Sequence, residues 1–73
     1  MPLIELFKKE KCTQEYIAQQ MKVLNCKKYR QQISEWVRGE RLPDAYSIWC
    51  LSKILGVSAD DVLEACLESA GRL

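Results

Sequence analysis

Histidine is missing altogether from this 73-residue chain. Its four cysteines, Cys12, Cys26, Cys50 and Cys66, include no CxxC pair. Zinc sites draw on closely spaced cysteine and histidine ligands, so no metal is expected. A disulfide framework belongs to an oxidising compartment, and nothing in the chain points to one. The cysteines read instead as small buried or half-buried hydrophobes. Only three glycines occur, and none sits in a Gly-rich phosphate loop. No nucleophile stands at a recognisable spacing from a base. The chain is therefore not expected to be an enzyme, to hold a cofactor or to take a small-molecule ligand.

Long apolar runs are also lacking: none approaches the ~20 residues needed to cross a bilayer. The opening "MPLIELFKKEK" places its basic residues after its apolar ones. A signal peptide has the reverse order. A cytoplasmic chain without membrane contact is expected. Repeats, linkers, low-complexity segments and sustained period-two alternation are absent as well, which argues against a β-rich fold.

What remains is an ordinary globular mix, 48% hydrophobic and 29% charged. A chain of this length forms one domain, residues 1–73, and buries only about 60% of its unfolded surface. Dense helix packing or dimerisation would supplement so small a core. The net charge is +1, unevenly spread: residues 1–41 hold nine Lys/Arg against five Asp/Glu, and residues 42–73 hold two against five. A basic half and an acidic half suggest that one face meets a polyanion.

Helical spacing occurs in five places. The first helix is predicted over residues 2–10, with proline at its start and Leu3, Leu6 and Phe7 as its stripe. The second, over residues 14–22, follows Thr13 as N-cap and turns Ile17 and Met21 inward. The fourth starts at Asp44, after Pro43, and stops at Gly56. Its Ala45, Ile48, Trp49, Leu51, Ile54 and Leu55 cover most of its circumference, the pattern of a buried central helix. The fifth opens at Ser58, which has capping-box spacing to Asp61. Val62, Leu63, Cys66 and Ala70 form its stripe. Five short helices joined by tight turns predict a compact all-α domain.

The third helix lies in "VLNCKKYRQQISEWVRGERLP", residues 23–43, the most basic part of the chain. With Asn25 as its cap and Gly39 as its left-handed end, it runs over residues 26–38. Projected at 3.6 residues per turn, Cys26, Tyr29, Ile33, Trp36 and Val37 face inward. Lys27, Gln31, Ser34 and Arg38 face outward, with Lys28 and Glu35 also outward and Arg30 and Gln32 on the flanks. Lysine and arginine suit phosphates or guanine edges, and glutamine suits adenine. A basic amphipathic helix can also do no more than keep a protein in solution.

Taken in order, "TQEYIAQQM", "ISEWVRGERLP" and "LSKILGVSADDVL" resemble the lambda-repressor-like, Cro/repressor-type helix-turn-helix family. The resemblance rests on Thr13, Gln14, Ile17 and Ala18; on Ile33, Ser34, Trp36, Arg38 and Gly39; on Pro43; and on Leu51, Lys53, Leu55, Gly56, Val57 and Ser58. It covers nearly everything beyond the first helix. The family has a tight glycine-containing turn before its reading helix. Here Lys22 replaces that glycine, and about five extra residues follow. Val37 and Ser52 also depart from the usual glutamate and alanine. The reading helix is expected to be lengthened at its N-terminus, with Cys26 and Tyr29 continuing its inner stripe.

The resemblance implies a sequence-specific regulator of double-stranded DNA, a prokaryotic or phage Cro-like repressor. Its third helix would enter the major groove. Arg30, Gln31 and Glu35 occupy the usual reading positions beside Ser34, and Lys27 and Lys28 would extend the contact. Glu35 could accept from a cytosine amino group or repel phosphate. Lys11, Thr13, Gln14, Arg38 and Arg41 are the implied phosphate contacts, with surface pairing of Arg38 to Glu35 or Glu40 as the plainer role. Such domains bind palindromic sites as two-fold dimers, so a homodimer is expected. Leu63, Cys66, Leu67 and Ala70 would supply its apolar surface, with Cys50 at or near it. The second functional reading is a helix-turn-helix interaction module that binds a protein partner, in an antitoxin-like or inhibitory role.

Overall fold

A computed structural model describes residues 1–73 and contains five helices and no strand: α1 (Leu3–Lys9), α2 (Gln14–Val23), α3 (Arg30–Val37), α4 (Ala45–Leu55) and α5 (Ala59–Ser69). Three of them start where a short polar side chain can satisfy a first-turn amide. Thr13 Oγ1 accepts from the Tyr16 N–H at 3.0 Å, Asp44 Oδ1 from Ser47 at 2.8 Å and Ser58 Oγ from Asp61 at 3.0 Å. Each such cap stabilises its helix by about 1 kcal/mol.

Asp44 makes that contribution pH-dependent. Its carboxyl titrates below the ordinary range, first because it accepts the Ser47 backbone N–H and then because of the Ser47 hydroxyl and Lys28. A carboxyl that is more acidic folded than unfolded stabilises the fold above its unfolded pKa, near 4 for aspartate. The contribution fades as pH falls through the lower, folded value. Asp44→Asn, which can still cap, is expected to flatten the acid limb of a stability–pH curve measured by urea titration. An unchanged limb would show that Asp44 is not the group responsible.

The ends of the helices are left-handed. After α1, α2, α3 and α5, the residues with positive φ are Lys11, Asn25, Gly39 and Gly71, and Gly56 closes α4 at φ +71°. The residue after each of the first four then donates its N–H back to the last turn. The bonds are Cys12 to Phe7, Cys26 to Met21, Glu40 to Glu35 and Arg72 to Leu67, at 2.8–2.9 Å. This is the Schellman closure, which satisfies carbonyls that the helix leaves free.

Burial follows the helical period. Leu3, Leu6 and Phe7 of α1, Ile17 and Met21 of α2, Ile33 and Trp36 of α3, Leu51 and Leu55 of α4, and Val62 of α5 join one core. α5 lies against α4, α1 and α3, and α2 against α3 and α4. The radius of gyration is 10.6 Å, close to the ~11 Å expected of a compact domain of this length. No helix is long and apolar enough to cross a membrane.

Several expectations about the third helix need correction. The third helix is α3, over Arg30–Val37, not residues 26–38. Asn25 does not open it. At φ +61° it closes α2, since asparagine, after glycine, is the residue most at ease in left-handed backbone. Residues 26–29 are irregular, so Lys27 and Lys28 do not stand on a helix. Cys26 still turns inward, 3% exposed and 3.6 Å from the Ser47 hydroxyl, whereas Tyr29 is 65% exposed rather than part of an inner stripe.

α4 is also less enclosed than its composition suggests. Ser47, Cys50, Leu51 and Leu55 are its buried residues, while Trp49 remains 46% exposed. Trp49 stacks on Tyr46 with ring centroids 5.9 Å apart, and the Lys53 ammonium lies 5.5 Å from its ring. The Tyr46 hydroxyl donates to the Leu24 carbonyl at 2.5 Å, which holds the pair against the end of α2. The cysteines are free thiols, Cys12 half-buried and the others buried. Burial pushes the Cys66 thiol up to about 11, so it remains protonated and packs as an apolar group.

Candidate functional site

α3 is held down by Ile33 and Trp36, at 0% and 4% exposure. Its outward side carries Arg30 and Gln31, both exposed, and Ser34 and Glu35, both half-buried. One bond ties this helix to the start of its neighbour: the Ser34 hydroxyl donates to Gln14 Oε1 at 2.5 Å. Gln14 is the first residue of α2, beside amides that the Thr13 cap does not use. Free amides and the helix dipole make that end favourable for an anion. Thr13, Gln14, Lys8 and Arg30 also line one open hollow. The fold therefore assembles Thr13, Gln14, Arg30, Gln31 and Ser34 on one side of the molecule.

The N-terminus of α3 has only a partial cap. Gln32 Oε1 accepts the Tyr29 N–H at 2.6 Å, but no side chain reaches the first amides of the helix. Beside α3 runs a groove of about 550 Å³, bounded by Gln31, Glu35, Trp36, Arg41, Pro43 and Asp44. Ion pairs cross it, Lys28 Nζ to Asp44 Oδ2 at 3.2 Å and Arg41 Nε to Glu35 Oε1 at 3.6 Å.

Beyond α3, the implied phosphate contacts are paired within the chain. Arg38 donates from Nε and a terminal nitrogen to both Glu40 oxygens, at 2.7 and 3.2 Å. That contact holds the Glu40 carboxyl below its ordinary value and the Arg38 guanidinium above its own. Both side chains are exposed, so the pair adds little stability. Its consequence is electrostatic, because the cation and its carboxylate present almost no net charge to a third partner. Lys27 and Lys11 are exposed and belong to no ion pair. Lys11 stands at the left-handed close of α1, at φ +58°.

The implied dimer surface loses two members. Cys50 and Cys66 are 0% and 1% exposed and fill the chain's own core. The reason is helical phase, since α5 turns Val62, Ala65 and Cys66 inward. Leu63 faces out at 40% exposure, and Leu67 and Ala70 are half-buried.

Some of the assembly escapes sequence reasoning. Lys22 shares two hollows with Lys28 and Tyr29, whereas in the sequence its only distinction is that it replaces a glycine. Lys8 comes to line the same hollow as Gln14 only through the fold. The one available signal was the density of basic residues on either side of the extra segment. Searches against protein-family models, curated proteins and solved structures gave no match to this chain.

Proposed function

We propose that the chain is a double-stranded DNA-binding regulator of the lambda-repressor-like helix-turn-helix type, a Cro-like repressor acting in the cytoplasm of a prokaryote, and not a catalyst. The observation that carries this reading is the Ser34–Gln14 bond, which ties α3, with its exposed Arg30 and Gln31, to the start of α2 and its free amides. Arg30 and Gln31 then approach base edges, and Gln14 takes a phosphate. The reading helix is α3 alone.

The test is a titration of labelled duplex carrying the region upstream of the chain's own gene, with a mixed-sequence duplex as reference. Gln31→Ala is expected to lower affinity for the preferred site by about 1–3 kcal/mol and to relax the preference at one position. Equal binding to every duplex by the parent chain, or none to any, would sink the proposal. Two-fold association on a palindrome goes with this reading, with Leu63 as its exposed apolar contact. Sedimentation as a monomer on operator DNA would count against it.

One observation favours a second reading, a module that binds a protein partner. The stacked Tyr46–Trp49 pair leaves large aromatic surface open on α4, and aromatic residues are enriched in protein interfaces. The two readings separate cleanly: Trp49→Ala would abolish partner capture and spare DNA binding, and Gln31→Ala would do the opposite.

A further inference from the structure

The extra segment before α3 is irregular without being loose. Asn25 turns the chain out of α2 in left-handed backbone. Cys26 then donates its N–H to the Met21 carbonyl at 2.8 Å and buries its side chain beside Ser47. Two residues later, Lys28 is tied to Asp44. Lys27 lies between these two anchors and faces solvent.

This geometry gathers cations. Lys22, Lys27, Lys28 and Tyr29 line a hollow of about 250 Å³ together with Asn25. Lys22, Lys28, Tyr29 and Arg30 line an adjoining one of about 280 Å³, where Glu15 is the lone carboxylate. Lys22, Lys27 and Arg30 have no carboxylate within ion-pair distance, whereas Lys28, Arg38 and Arg41 each have one. The unneutralised positive charge around α3 therefore lies at its N-terminal end, next to an exposed aromatic ring.

We infer that Lys22 and Lys27 form a contact surface for the phosphodiester backbone of duplex DNA flanking the bases that α3 reads, and that Arg38 contributes little to it. The inference rests on the DNA-binding reading above. A cation that neutralises a phosphate releases condensed counterions, and each such contact adds about 0.9 to the slope of log affinity against log salt. A cation already held by a carboxylate brings that negative charge along, and its net contribution approaches zero.

The experiment measures the salt slope of the full chain on a labelled duplex of mixed sequence, with thermal melts to verify folding. Lys22→Ala and Lys27→Ala alter exposed side chains, so the fold is expected to survive both. Each is expected to make the slope shallower by about 0.9, and the pair by about twice that. The double variant Arg38→Gln with Glu40→Gln removes one charge of each sign and is expected to leave the slope unchanged. Folded lysine variants with the parent slope would overturn the inference while leaving DNA binding intact. A drop of similar size in the Arg38/Glu40 variant would overturn it too. A parent chain that binds no duplex at any salt concentration would remove the DNA-binding reading itself, and the inference with it.

Discussion

Gly39→Ala is expected to cost several kcal/mol, far more than its one added methyl suggests. Gly39 follows α3 at φ +74°, where any side chain costs about 1–2 kcal/mol. A Cβ there would also lie 2.0 Å from the Ser69 carbonyl oxygen and 2.9 Å from the Ala70 Cα. These are backbone atoms at the end of α5, so no rotamer change relieves the clash, and α3 must separate from α5. Overpacking of this kind adds about 1–3 kcal/mol. For a domain of this size each kcal/mol lowers Tm by about 4–8 °C, which places the loss between roughly 8 and 40 °C. Gly56→Ala is the control, because it has a similar φ, +71°, and nothing within 4 Å. It should show the conformational cost alone. Equal melting shifts for the two variants would mean that the α3–α5 approach is not tight. If Gly39→Ala still folds, the proposed DNA binding should weaken with it, since Gly39 sets how α3 leaves the core.

The second large effect separates the two tryptophans. Trp36→Ala removes a side chain that is 4% exposed and packed in the core with Ile33, and is expected to cost about 3–5 kcal/mol. Trp49→Ala removes one that is 46% exposed. What it loses is the remaining covered surface and the stack on Tyr46, itself worth about 0.5–1.5 kcal/mol. Urea denaturation monitored by circular dichroism compares them directly. Similar losses would place Trp49 in the core.

The Trp49 case shows where helical periodicity stops being informative. Around α4 the apolar residues run nearly full circle, so the period does not say which arc is covered. Ser47 is fully buried while Trp49, two positions on, faces water. α5, α2 and the position of Cys26 decide that. In α2 and α3 the polar arc is wide, and Ile17, Met21, Ile33 and Trp36 were legible as inward residues. Asn25 was ambiguous for another reason: asparagine favours both the start of a helix and the left-handed residue after one. The side chains of 26–28 fit either choice. What settles it is the Cys26 N–H returning to Met21, which closes α2 and leaves α3 to begin at Arg30.

The candidate site divides along the same line. Gln31 and Ser34 were legible as outward residues because they lie opposite an inward stripe, and Gln14 only through the family resemblance. Their mutual bond was not legible, because 20 residues separate Ser34 from Gln14. Pairing of Arg38 with Glu35 or Glu40 was legible, but that it takes Glu40 and leaves Glu35 to Arg41 depends on where the two carboxylates come to rest.

By itself the sequence determined five helices, their caps at Thr13, Asp44 and Ser58, and the inward faces of α1, α2 and α3. Those are local properties, set by groups three or four residues apart. Only the tertiary structure decided which end of a helix Asn25 serves, which tryptophan is covered, which cysteines are inaccessible and which cations stay free. Those depend on what lies across from each residue, and neither composition nor period specifies the neighbour.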